Sequence, residues 1–278
     1  MRAGPRGIWR WHWLLAGCIA VPFGASVQAE PAERLLPLAA VRPAARFSSA
    51  DLRALQASDD ANPAMLWVAQ GQALWRTPAG VAGASCAGCH GDAAVSMRGV
   101  AARYPALEPS SDPAAIAPAR LLNLEGRINQ CRSRHQGLAP WPAESQPLLG
   151  VSAYVAMQSR GQPLQVSTDA AIQPYLERGR ALYLQRSGQM NLACTHCHDR
   201  HWGDKLLGET ISQGHGNGYP AYRLEWQGLG SLQRRLRACQ SGIRAEMLPF
   251  GSPALVELEL FLAWRAGTLA VETPAVRR

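Results

Sequence analysis

Two pentapeptides in this 278-residue chain have the residue types for covalent haem chemistry: Cys86-Ala87-Gly88-Cys89-His90 and Cys194-Thr195-His196-Cys197-His198. Thiols spaced in this way can add across the two vinyl groups of a haem. The adjacent imidazole is then held close enough to bind the iron from one side. A lone Cys-x-x-Cys beside a histidine would also fit a redox dithiol or a zinc site. Duplication argues against both. Cys86, Cys89, His90 and Cys131 recur as Cys194, Cys197, His198 and Cys239 at a constant offset of 108 residues. Gly71, Ala73, Leu74, Leu124 and Arg127 return at the same offset as Gly179, Ala181, Leu182, Leu232 and Arg235. The pattern reads as a dihaem cytochrome c, with Cys86, Cys89, Cys194 and Cys197 as thioethers and His90 and His198 as iron ligands.

Each haem then needs a second axial ligand, and Cys131 and Cys239 are left over. In an exported chain two spare cysteines can form a disulfide, which requires their Cα atoms within about 7 Å. The repeat instead gives each cysteine the same place in its own half, as the distal ligand of its own haem. Met247, in Met247-Leu248-Pro249, is a competing ligand for the second haem, but its counterpart in the first half is Ala139. His135, His201 and His215 lack counterparts and read as surface or loop histidines. A thiolate ligand donates electron density and lowers the reduction potential. Arg235 precedes Cys239 by four residues, hence on the same helix face. Its guanidinium favours the thiolate and can hold an oxyanion through two parallel hydrogen bonds. Arg127 reads as a partner of a haem propionate. Because Arg234, Arg235, Arg237 and Arg244 crowd the second cysteine, that site is expected to be the chemical one.

These residues must be positioned by helices. Met65 to Trp75 and Tyr175 to Tyr183 carry apolar residues at helical spacing and lead into the two boxes. Leu148, Val151 and Val155 form one later apolar stripe, and Leu255, Leu258, Leu262 and Trp264 another. Ser49-Ala50-Asp51 is a cap before Leu52 and Leu55, and Gly208 to Leu229 reads as a long loop. The expected fold is all-α: two tandem class I-like cytochrome c domains over residues 45–158 and 164–272. Ser159 to Pro163 would join them, and residues 30–44 would form an extension along the surface.

Arg2, Arg6 and Arg10, the mostly apolar run Trp11 to Val21, and Val27-Gln28-Ala29 read as an export signal over residues 1–29. Leu15-Ala16-Gly17-Cys18 also resembles a lipoprotein box, which would place a lipid on Cys18. No later stretch is apolar for long enough to span a bilayer, so a periplasmic protein is expected. Removing residues 1–29 takes away three arginines and no acidic residue, lowering the net charge from +8 to +5. That balance suits an anionic substrate or an acidic partner. The arginines are dispersed and form no basic run interleaved with aromatics, which argues against nucleic acid.

A longer set of residues resembles a known family. It comprises Asp59-Asp60, Asn62-Pro63, Met65-Leu66-Trp67-Val68, both boxes, and Asn217-Gly218-Tyr219-Pro220-Ala221-Tyr222-Arg223-Leu224-Glu225-Trp226-Gln227. The set continues through Ser231-Leu232-Gln233-Arg234-Arg235-Leu236 to Cys239, then Arg244-Ala245-Glu246 and Trp264-Arg265. Along nearly all of its mature length the chain resembles the SoxA family, the dihaem subunits of the SoxAX cytochromes of bacterial thiosulfate oxidation. The resemblance implies an L-cysteine S-thiosulfotransferase in which Cys239 ligates the catalytic haem and carries a persulfide, and Arg235 binds substrate. Thiosulfate would be joined oxidatively to a cysteine of the carrier SoxY, bound to SoxZ, with electrons leaving through haem to the monohaem subunit SoxX. Three other readings stand beside it: a free-standing thiosulfate dehydrogenase forming tetrathionate, a plain electron-transfer cytochrome, and a dihaem peroxidase, which would need an open iron site.

Overall fold

Two close helix pairs set the frame. In the computed structural model, α2 (Met65–Arg76) packs on α6 (Gln146–Met157), and α7 (Gln173–Leu184) packs on α10 (Pro253–Arg265). In α2 the buried residues are Val68, Gly71 and Trp75, and in α7 Leu176, Gly179 and Tyr183, spaced to form one apolar stripe. The repeated glycines lie where the helices of each pair touch. A Cβ on Gly71 would stand 2.0 Å from the carbonyl oxygen of Gly150, and one on Gly179 would stand 2.0 Å from that of Glu257. No side chain fits at either place. Helices α6 and α10 are buried along most of their length, α10 with Glu257 and Glu259 among its buried residues.

The boxes form single-turn helices, α3 (Cys86–His90) and α8 (Cys194–His198), and α4 (Ala93–Ser96) follows the first. The Oγ of Ser85 caps α3 by accepting from the Gly88 amide at 2.9 Å. The third cysteines lie in α5 (Leu124–His135) and α9 (Leu232–Gly242). Asn123 caps α5 and Ser231 caps α9, each side chain accepting an amide three residues on. Helices α2, α3 and α5 each begin 108 residues before α7, α8 and α9. Helix α1 (Ala50–Ala57) starts at the Ser49 cap.

The all-α expectation is corrected by short strands. The chain is helix-rich, but β1 (Ala106–Leu107) pairs with β2 (Leu121–Leu122), and β3 (Lys205–Leu206) pairs with β4 (Glu209–Thr210). Strand β5 (Ala221–Arg223) lies between β6 (Gly228–Gly230), antiparallel, and β7 (Ala275–Arg277), parallel. The stretch read as one long loop, Gly208 to Leu229, thus contains a hairpin. Ala221, Tyr222 and Arg223 alternate buried, half-buried and buried, and Gln227 turns the chain at a positive φ of 47°.

The structure describes residues 36–108 and 119–278, with Met1 and Gly4. The export signal read over 1–29, with Cys18, and the first part of the 30–44 extension lie outside the described residues. Val41 of that extension is buried beside Leu164, Leu269 and Val271, so it enters a core as well as following the surface. In the segment read as a join, Ser159 is buried, and Arg160 and Pro163 pair with Val271 and Ala270. Residues 33–278 form one compact unit. Among the described residues no helix is long and apolar enough to cross a membrane.

Candidate functional site

Helices α8 and α9 meet the loop after α8 around a cavity of about 530 Å3, within the range of small-molecule and cofactor sites. His198 comes from the end of α8 and Cys239 from α9, and both line this cavity. The Nδ1 of His198 is 2.7 Å from the carbonyl oxygen of Ser212. A carbonyl only accepts, so Nδ1 carries the proton and Nε2 keeps a free lone pair. Gly214 lies flat on the imidazole: its φ is +77°, and a Cβ there would stand 2.9 Å from the ring Cγ. The ring is therefore clamped by backbone on one side and fixed in tautomer on the other.

This arrangement fits a c-type haem. Two ligand-type atoms, a histidine nitrogen and a sulfur, face one another, and Cys197 lines the same cavity beside Leu232 and Leu236. Cys194 is close enough for Cys239 to raise its pKa. Burial pushes the Cys86, Cys194 and Cys197 thiols up. Cys239 moves the other way. Its burial also acts upward, but the neighbouring His198 and the charges of Arg235 and Arg223 outweigh it, and the thiol lies below its ordinary value.

The charged wall differs from the sequence reading. Of the four arginines read as surrounding Cys239, only Arg235 lines the cavity. Arg234 stacks over Trp226 at 4.2 Å, Arg237 over Phe250 at 4.4 Å, and Arg244 reaches Gln189. For Arg234 and Arg237 helical geometry explains this, because adjacent positions on a helix point about 100° apart, and Arg244 lies beyond the end of α9. Residues to which the sequence assigned no role take the vacated places. Arg223, its side chain 5% exposed, lines the cavity from β5, and Glu209 pairs with it at 3.0 Å and with Arg235 at 3.9 Å. Arg46, Lys205, Arg277 and Arg278 add positive charge to the lining. The only hint in the sequence was that Arg223 falls in the most selective stretch of the family resemblance.

His215 also departs from expectation. His135 is exposed at the end of α5, and exposed His201 contacts Asp204, as surface histidines do. His215 is instead 4% exposed and lines the cavity. Burial, then Arg265 and His198, push its pKa down to about 3, so it is neutral. Met247 is exposed and absent from the lining. All six described cysteines are free, so Cys131 and Cys239 are not joined.

The first half assembles the corresponding residues more openly. Cys131 lies near enough to Cys86 to raise its pKa. Cys89 and His90 are exposed. The His90 ring lies 5.8 Å from that of Trp75, whose Nε1 donates to the Gly91 carbonyl at 3.0 Å. Position 183 repeats that contact: Tyr183 donates to Asp199 at 2.8 Å. Asp199 is further paired with buried Arg265. Arg127, the counterpart of Arg235, hydrogen-bonds Gln130 on its own helix.

Comparison with known proteins places these residues in context. The family model for the SoxA/TsdA cytochrome c domain matches residues 70–164. The L-cysteine S-thiosulfotransferase subunit SoxA of Pseudaminobacter salicylatoxidans is 39% identical, over 84% of this chain and 79% of its own. That of Paracoccus pantotrophus is 34% identical, over 83% and 77%. The crystal structure of SoxXA from P. pantotrophus superposes with a TM-score of 0.80 at 33% identity, covering 86% of this chain and 87% of that one.

Proposed function

The chain belongs to the SoxA family, and on that premise we propose that it is the thiosulfate-transferring subunit of an L-cysteine S-thiosulfotransferase. Its cofactors are two covalent haems c, one per cytochrome c domain. Cys86, Cys89, His90 and Cys131 hold the first, and Cys194, Cys197, His198 and Cys239 hold the second. When bound, the haem supplies one-electron acceptance on the way to SoxX, the partner with which the P. pantotrophus relative is described.

In the net reaction a carrier thiolate and thiosulfate form one sulfur–sulfur bond, giving a carrier S-thiosulfonate and releasing two electrons. The carrier is SoxY, bound to SoxZ, and the reaction takes place in the periplasm after removal of residues 1–29. Thiosulfate is a doubly charged anion with a sulfonate end, and Arg235 presents a planar fork that can take two of its oxygens. Cys239, the sulfur-bearing residue, faces the bound anion. His198 fixes one side of the site, its orientation secured by Ser212 and Gly214.

One observation carries this reading. Cys239 shares its cavity with Arg235, one turn away on α9, and with Arg223 from β5, so a sulfur and two guanidiniums meet at one place. A plain electron carrier has no use for a buried cavity lined with arginine around a reactive sulfur.

The test uses the haem-loaded chain in complex with SoxX, mixed with thiosulfate and SoxYZ. The expected product is SoxY carrying one thiosulfonate, detected by intact mass, with haem reduction only when carrier is present. Tetrathionate formation from thiosulfate and an electron acceptor, without carrier, would instead establish the free-standing dehydrogenase.

A further inference from the structure

The carboxylate of Glu209 divides itself between the two arginines of the cavity. One oxygen lies 3.0 Å from the Arg223 guanidinium, and the other 3.9 Å from that of Arg235. The sulfonate end of the proposed substrate, tetrahedral where the carboxylate is planar, can likewise offer one oxygen to each of two guanidiniums. We propose that Glu209 is a resident competitor, an anion built into the chain that sits on the substrate's arginine pair and must be displaced for thiosulfate to bind. This rests on the reading of Arg235 as the substrate-binding residue, and it makes Glu209 a positioning and selectivity residue for that site.

The two sides of this contact are built very differently. Arg223 is rigid: its side chain is 5% exposed, it stands in the central strand β5, and its Nε donates to Glu225 at 2.8 Å. Arg235 stands on α9. Glu209 lies on a light element, the β3–β4 hairpin, whose strands have two residues each and whose β3 side chains are exposed. The tip residues Leu207 and Gly208 both have positive φ. Backbone bonds between Gly203, Asp204 and Ile211 extend its ladder and Lys205 donates across it to Thr210 at 2.8 Å, while the Arg278 guanidinium donates to the Gly208 carbonyl at 2.9 Å. Few buried contacts restrain such an element, so it is the part of the site that opens at the lowest cost. The arginines stay and the carboxylate leaves.

A competitor held in place weakens every anion that needs its seat, because the binding-competent state is only a fraction of the population. Between turnovers it also keeps the buried Arg223 guanidinium and the half-buried Arg235 guanidinium paired. Ambient anions then meet a site already satisfied, whereas a dianion that engages both guanidiniums can replace the carboxylate.

The experiment uses sulfate, a non-reacting oxyanion, with the haem-loaded chain in its SoxX complex. Sulfate affinity is measured by calorimetry, and hairpin opening by amide exchange across residues 203–211. In the wild type, saturating sulfate is expected to raise exchange in the hairpin. Glu209→Gln is expected to tighten sulfate roughly tenfold, with hairpin exchange already high before sulfate is added. Glu209→Asp, whose shorter side chain cannot span both guanidiniums, should fall between the two. If Glu209 only braces the arginines, Glu209→Gln will weaken sulfate binding, and that result overturns the proposal. So does wild-type hairpin exchange that sulfate leaves unchanged. The underlying reading fails separately, if Arg235→Ala binds sulfate as well as the wild type.

Discussion

The two halves of the chain present the same ligand types at the same spacing, yet they surround them differently. Around Cys131 the box residues Cys89 and His90 face solvent, and Arg127 is occupied by Gln130. Around Cys239 the cavity lining brings together Arg235, Arg223 and Glu209, and the imidazole of His198 is clamped between Ser212 and Gly214. What the halves share is scaffold: the helix starts, the caps and the glycine crossings. What sets them apart comes from residues 199–230 and 275–278, which the repeat does not explain. The comparison teaches that the repeat supplies a place for a haem, and the non-repeating segments supply the chemistry.

The sharpest way to break this contrast is to remove each sulfur in turn. Cys239→Ala is expected to lower thiosulfate transfer to the carrier by about a thousandfold or more, whereas Cys131→Ala keeps most of it while disturbing the spectrum of its own haem. Equal and complete losses with both haems retained would erase the distinction. Next come the paired arginines. Arg235→Lys keeps the charge but loses the fork, so kcat/KM for thiosulfate should fall roughly ten- to a hundredfold, and Arg127→Lys should change it by less than about twofold. Steady-state kinetics with excess carrier decides it.

The scaffold should behave symmetrically where the chemistry does not. Gly71→Ala and Gly179→Ala each drive a methyl into a backbone carbonyl, and each should cost about 1–3 kcal/mol or more. Similar losses in urea unfolding are expected. If only one variant is destabilised, the helix pairs are not equivalent.

The smallest effect concerns two carboxylic acids, Glu125 of α5 and Glu259 of α10. Burial pushes Glu125 up to about 7 and Glu259 up to about 8, and the negative charge of Glu125 adds to the rise at Glu259. Because the folded chain holds these protons after the unfolded chain has released its own near 4.5, stability falls as pH rises from about 4.5 through 7 and 8. Each group contributes about 1.4 kcal/mol per pH unit at most. Glu259→Gln should flatten that decline, as urea titrations between pH 5 and 8.5 would show. An unchanged slope would mean that the decline does not come from Glu259.

The sequence made legible whatever depends on local spacing. The boxes, the third cysteines, the Ser49 cap and the helices from Met65, Tyr175 and Leu255 all rest on residues within a few turns of one another. Gly71 and Gly179 stood out as repeated residues, and the structure supplies the reason, two helix crossings. What stayed hidden depends on distant pairing. Arg223 reaches the cavity because β5 pairs with β7 more than fifty residues later, and Glu209 because a short hairpin folds over the opening. His215 looked like a loop residue because no local pattern announces burial. The arginines around Cys239 misled for the opposite reason, since neighbours in a helix diverge in direction.

Strand β7 has a consequence for how the halves depend on each other. It is held not only by β5 but by residues near the start of the first half: the Asn62 side chain donates to the Pro274 carbonyl at 2.9 Å, and Gln56 accepts from the Val276 amide at 3.2 Å. Within β7, Val276 is fully buried while Arg277 lines the cavity. Register is what separates them. A slip of one residue would turn the arginine into the core and the valine toward the cavity. Gln56 and Asn62, far in sequence from the other residues of the cavity, therefore act as the index marks that keep Arg277 in its lining.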